Sequence, residues 1–126
     1  MKHRHGNRIL GRKNTPRARL LQNLTSALLS HGKIVTTEAK GKELRRFFEP
    51  LITQARGEIT LARRRLLLQR LGRREDLPVL LEVAKQFQGR PGGYTRLTRL
   101  PVTRKDAARE VTVELVAAET TTPTAK

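Results

Sequence analysis

Cysteine is absent from the 126 residues, which excludes disulfides, thiolate nucleophiles and cysteine-based zinc sites. Tryptophan is absent too, and aromatic residues make up 3% of the chain. A core must therefore be built mostly from Leu, Val, Ile and Ala, enough for one small domain with little stability in reserve. No apolar run approaches membrane-spanning length, and the opening residues lack the hydrophobic stretch of a secretory signal. Acids are scarce. Eleven Asp and Glu face 27 Lys and Arg, a formal charge of +16. Such a field repels itself and attracts a polyanion, and nucleic acid is the commonest one for a chain this basic. An anionic membrane would prefer one basic amphipathic helix, whereas here the charge runs along the whole chain.

What is present reads as an α+β domain with extensions. Residues 1–14 (MKHRHGNRILGRKN) show neither helical nor strand periodicity and form a basic extended arm, expected to be flexible when free. The pattern predicts a helix over 16–30, with Thr15 as its N-cap, Pro16 in its first position and Gly32 as its stop. Residues 33–36 are short and β-branched, a strand. Thr37 then caps a second helix whose stripe is Leu44, Phe47, Phe48, Leu51, Ile52 and Ala55. Pro50 lies inside it, so a kink is expected near 46–50 rather than two helices.

A third helix follows over 59–71, with Leu61, Leu67, Leu68 and Leu71 inward and Gly72 closing it. Asp76 should cap a fourth, closed by Gly89. Residues 94–100 are extended and Thr-rich, and Val111, Val113 and Leu115 alternate with Thr112 and Glu114 as a half-buried strand. These two C-terminal strands should pair like a hairpin with residues 33–36 alongside, giving a small three-stranded sheet packed with about four helices. The single domain is expected over 15–117, and residues 118–126 read as a disordered tail.

Three constellations could carry chemistry. In the arm and just beyond it, Lys2, Arg4, Arg8, Arg12, Lys13, Arg17 and Arg19 recur with no acid between them. An extended chain advances about 3.3 Å per residue, so such charges can follow a phosphate backbone. Arg63, Arg64 and Arg65 point about 100° apart on a helix, so a solvated face and a phosphate contact are equally open readings. The segment 89–96 places Tyr94 between Arg90 and Arg96 after paired glycines. The ring could stack on an unpaired base while the cations hold phosphates, or it could be a core residue after a turn.

His3, His5 and His31 have no metal-ligand spacing, and no nucleophile–base pair is recognisable. Nothing calls for a cofactor, a metal or a small-molecule substrate. A DNA-binding or nucleoid protein is the main competing reading, since phosphate attraction does not separate DNA from RNA. A small RNA-processing enzyme using His3 or His31 is a third.

Three stretches together resemble the bacterial-type large-subunit ribosomal protein family seventeen. They are Met1, Lys2, His3 and Arg4 with Arg8, Arg12 and Arg17; residues 34–40 (IVTTEAK) continuing through 42–45 and 49–53; and residues 90–96 (RPGGYTR) with 113–116. The likeness spans about residues 1–116. Lys2, Gly11, Pro16 and Lys105 depart from the usual pattern. The resemblance implies a non-enzymatic α+β protein of the large subunit, cytoplasmic or in an organellar ribosome. It implies binding to 23S-type rRNA beside other ribosomal proteins near the tunnel exit, with no membrane partner. It also implies that Lys2, His3, Arg4, Arg8, Arg12 and Arg17 enter rRNA, and charge adds Lys13 to them. Thr36, Thr37, Lys40, Lys42 and Arg45 would hold phosphates at the start of the second helix. Arg90, Tyr94 and Arg96 would make a third contact.

Overall fold

The structure, a computed structural model, describes residues 6–101 and 104–116. The chain runs α1 (Asn14–His31), β1 (Lys33–Thr37), α2 (Glu38–Arg56), α3 (Leu61–Leu71), α4 (Asp76–Gln86), β2 (Thr95–Arg99) and β3 (Glu110–Leu115). This is the expected α+β arrangement of four helices and a three-stranded sheet.

Several boundaries differ from the sequence reading, each for a local reason. α1 begins at Asn14 with Lys13 at the cap position, so Thr15 is not the N-cap and Pro16 is the third helical residue. The first intrahelical bond runs from the Arg17 N–H to the Lys13 carbonyl at 3.0 Å, so the missing N–H of Pro16 leaves no bond unmade. At the other end Gly32 takes φ 75° and donates to the Leu28 carbonyl, as a left-handed cap requires.

α3 starts at Leu61, one residue after Thr60, whose side chain accepts from the Arg63 N–H. Leu61 was expected inward and is 62% exposed. It precedes Leu67 by six residues, about 240° around a helix, and so misses the buried face. In α4 the cap position is Glu75, not Asp76. Asp76 is the first helical residue, buried, and accepts from the Ser26 hydroxyl of α1 at 3.2 Å. The helix ends at Gln86, with buried Phe87 rather than Gly89 as its cap.

The sheet order is β1-β3-β2, with both pairings antiparallel. Val113 lies opposite Ile34 on one side and Leu97 on the other. Because β3 is central, Thr112 is buried between Val35 and Thr98 as well, where the alternation had placed it outward.

α2 is the hub of the fold and touches every other element. Leu44, Phe48, Leu51 and Ile52 are fully buried against Leu28, Leu67, Leu77, Leu80 and the inner face of the sheet. The helix continues through Pro50 as one element of 19 residues. Glu49 fastens it to β2 by accepting from both the backbone N–H and the hydroxyl of Thr95, at 3.2 and 2.9 Å.

Gly41 is where α2 lies closest to the sheet. A Cβ there would stand 2.7 Å from Val111 Cγ2 and 3.3 Å from Val113 Cγ2. Overpacking costs about 1–3 kcal/mol, and the better helix propensity of Ala returns about 1 kcal/mol. Gly41→Ala is therefore expected to lower unfolding free energy in urea by up to about 2 kcal/mol. A gain in stability would mean that the helix does not press on the sheet at this point.

Candidate nucleic-acid interface

Lys2, His3, Arg4 and His5 lie outside the described residues. From Gly6 onward the arm lies on α2. Arg8 Nη1 donates to Glu43 Oε2 at 3.0 Å, and Arg46 Nη1 stands 3.8 Å from the same oxygen. Arg46 also donates to the Gly6 carbonyl. Leu10 and Gly11 both have positive φ, 58° and 67°, and the Arg12 N–H closes this turn on the Ile9 carbonyl at 3.2 Å. Glu43 is only 4% exposed. A buried carboxylate needs a cation, and the arm supplies one from 35 residues away. Arg8 is thus engaged by a carboxylate, with 42% of its side chain still exposed.

The start of α2 does not provide the open anion site expected there. Thr36 and Thr37 belong to β1, opposite Val111 and Glu110, and the Thr37 side chain makes no capping bond. The Glu38 N–H is taken by the Arg109 carbonyl at 3.0 Å. The Glu38 carboxylate itself occupies the first turn, 3.3 Å from Lys42 Nζ and 3.1 Å from Arg99 Nη2. Hydrogen bonding from Lys42, with the charge of Arg99, holds this carboxyl below its ordinary range. The helix N-terminus already has its negative partner. Lys40 and Arg45 are five residues apart, about 140° around the helix, so they cannot grip one phosphate together.

Arg45 instead meets the C-terminal block. With Glu49, Thr53, Pro91 and Tyr94 it lines a shallow groove of about 640 Å³. Here the structure brings two of the three sequence-predicted groups together.

Tyr94 itself is a core residue, and the base-stacking reading is corrected. It is 1% exposed, its ring meets Phe87 edge-on with centroids 4.9 Å apart, and the Arg56 guanidinium sits 5.6 Å from the ring centroid. Its hydroxyl is within bonding distance of Thr53 Oγ1 (3.2 Å) and the Arg90 carbonyl (3.3 Å). A ring enclosed in this way has no face free for a base. Arg56 also donates to the Arg90 carbonyl, so it organises the whole 87–94 turn. The sequence reading missed Arg56. Its position in the last turn of a helix, just before Gly57, was the available signal. Arg90 is exposed, with its Nε donating to the Gly92 carbonyl. Arg96 pairs with Glu114 across the sheet at 3.4 Å.

The remaining cations define the outer surface. Among the described residues, Arg12, Lys13, Arg17, Arg19, Arg45, Arg64, Arg65, Arg70, Arg73, Arg74 and Arg90 form no ion pair. Arg64, Arg65 and Arg70 on α3, and Arg73 and Arg74 beyond it, are all exposed. They were under-weighted in the sequence because consecutive arginines on one helix point in different directions. No group of His, Asp or Glu among the described residues could hold a metal ion. No described helix is long and apolar enough to cross a membrane.

A positively charged shell around a small closed core suits a polyanion, and comparison with known proteins shows the family. The sequence model described as Ribosomal protein L17 matches residues 20–116. The chain belongs to the ribosomal protein L17 family. The Large ribosomal subunit protein bL17 of Campylobacter lari is 44% identical over 117 residues, covering 93% of this chain and all of the relative. Its counterpart in Campylobacter jejuni is likewise 44% identical with the same coverage. That of Sulfurimonas denitrificans is 41% identical over 116 residues, 92% of this chain and all of the relative. The L17 match begins inside α1 and ends one residue beyond β3, so it contains α2, α3, α4 and the entire sheet, while the arm precedes it.

Proposed function

We propose that the chain is a structural constituent of the large ribosomal subunit, in the cytoplasm, that binds and stabilises 23S-type rRNA and performs no catalysis. Membership of a ribosomal protein family supports the structural role. The observation that carries the RNA contact is the set of cations that form no ion pair among the described residues, around a packed core. Unpaired guanidinium groups on one small body repel one another and gain most from a phosphate backbone.

In this reading residues 1–14 act as an arm, 15–117 as the folded body and 118–126 as a tail. Lys2, His3, Arg4, Arg12, Lys13 and Arg17 contact rRNA along the arm and the start of α1. Arg45 and Arg90 contact it at the groove beside Pro91. Lys40 makes a separate contact. Arg8, Lys42 and Arg96 are shared between their carboxylates and solvent, and contribute less. Neighbouring large-subunit proteins near the tunnel exit complete the surroundings. The test is sedimentation of the native protein through a high-salt gradient. It should travel with large subunits, and recovery wholly apart from ribosomal particles would overturn the role.

A further inference from the structure

Where the arm crosses the helices, a cleft of about 260 Å³ opens between residues of the arm, α1, α2 and the end of α3. Four guanidinium-bearing residues line it: Arg8, Arg17, Arg46 and Arg70. Glu43 is the sole acid in its lining. Four positive charges against one negative leave a local excess of three. Leu21 and Phe47 form part of the wall, which lowers the local dielectric and strengthens both the repulsion and any attraction to an anion.

We infer that this cleft is a socket for one phosphodiester group of the RNA backbone, held by Arg17, Arg46 and Arg70. The inference rests on the rRNA-binding reading and specifies a site within it. Two of the three groups are pre-positioned, and the third is left with its donors uncommitted. Arg17 donates to Asn14 Oδ1 and, at 3.3 Å, to the Arg12 carbonyl. Arg46 is held by Glu43 Oε2 and the Gly6 carbonyl. Arg70 forms no ion pair among the described residues, and it sits in the last turn of α3. Glu43 is satisfied by Arg8 at 3.0 Å, closer than Arg46 at 3.8 Å, so Arg46 retains donors for a ligand. A water takes about 30 Å³ of liquid volume, so the cleft has room for a tetrahedral anion and bridging waters. The arm lines the same cleft, so an anion seated there ties the arm to α3 as well as to α2.

The experiment uses the full chain with arginine side chains labelled with nitrogen-15, titrated with inorganic phosphate at ionic strength held constant with chloride. The Nε–Hε resonances of Arg17, Arg46 and Arg70 should shift together and saturate. In Arg70→Gln the affinity read at Arg17 and Arg46 should fall about tenfold, the loss of one charge-assisted hydrogen bond. Lys85→Gln, on α4 and outside the cleft, should leave the titration unchanged. A short single-stranded RNA should displace the phosphate from the same resonances. Shifts that never saturate, an unaltered affinity in Arg70→Gln, or failure of RNA to compete would each overturn the socket. Co-sedimentation of the same protein with large subunits separates the two readings. Retention on subunits without a saturable site rejects the socket and keeps the ribosomal role. A saturable, RNA-displaceable site in a protein that never joins subunits supports the socket and rejects the role.

Discussion

Deleting residues 2–13 is expected to weaken binding to large-subunit rRNA by about 100-fold at moderate salt and to reduce the slope of log affinity against log salt by about 3. The deletion removes five Lys and Arg, at positions 2, 4, 8, 12 and 13. Arg8 already faces the Glu43 carboxylate. Four cations therefore remain as full phosphate contacts, and each contributes about 0.7–0.9 to the salt slope. The folded body should survive. Asn14 is the first residue of α1, and among the described residues the first buried one is Thr25, well inside that helix. Glu43 loses Arg8 but keeps Arg46, so the expected stability loss is about 1–2 kcal/mol, less than the 3–5 kcal/mol of breaking a buried pair outright. Filter binding across a salt series, with circular dichroism of the same samples, reads both effects. An unchanged slope in a folded truncated protein would remove the arm from the binding surface.

Tyr94→Ala should cost about 3–5 kcal/mol of unfolding free energy, a large share of what a small domain possesses. The ring is among the largest fully buried side chains, and its removal leaves Phe87 and Arg56 facing a cavity. Tyr94→Phe keeps the volume and loses only the hydroxyl's contacts with Thr53 and the Arg90 carbonyl, about 1 kcal/mol. RNA affinity of Tyr94→Phe should match that of the parent protein. Chemical denaturation and RNA binding measured together distinguish a core residue from a stacking platform. A Tyr94→Ala protein as stable as the parent but weaker on RNA would restore the stacking reading.

The two expectations share a lesson about residue type. Arg and Tyr in a glycine-rich segment satisfy the sequence criteria for RNA contact and for core packing equally well. Tyr94 was undecidable because its partners Thr53, Arg56 and Phe87 come from α2 and the end of α4. The same holds for Arg8. A basic arm residue reads as a phosphate ligand until a buried acid 35 residues later takes it. Glu43 gave no local sign of burial, because a carboxylate on a helix is ordinarily solvent-facing. Leu61 erred the other way: an apolar residue just after a cap sat off the buried stripe.

By itself, the amino-acid order determined the element types, the pairing of the C-terminal strands, the placement of residues 33–36 beside them and the large excess of positive charge. All of these follow from periodicity, from glycine at helix ends and from net charge, which act within a few residues or over the chain as a sum. Tertiary structure alone decided which cations stay free. Ion pairs such as Arg8–Glu43 and Arg99–Glu38 join residues 35 and 61 positions apart, and an acid neutralises a base only where packing brings the two within a few ångströms.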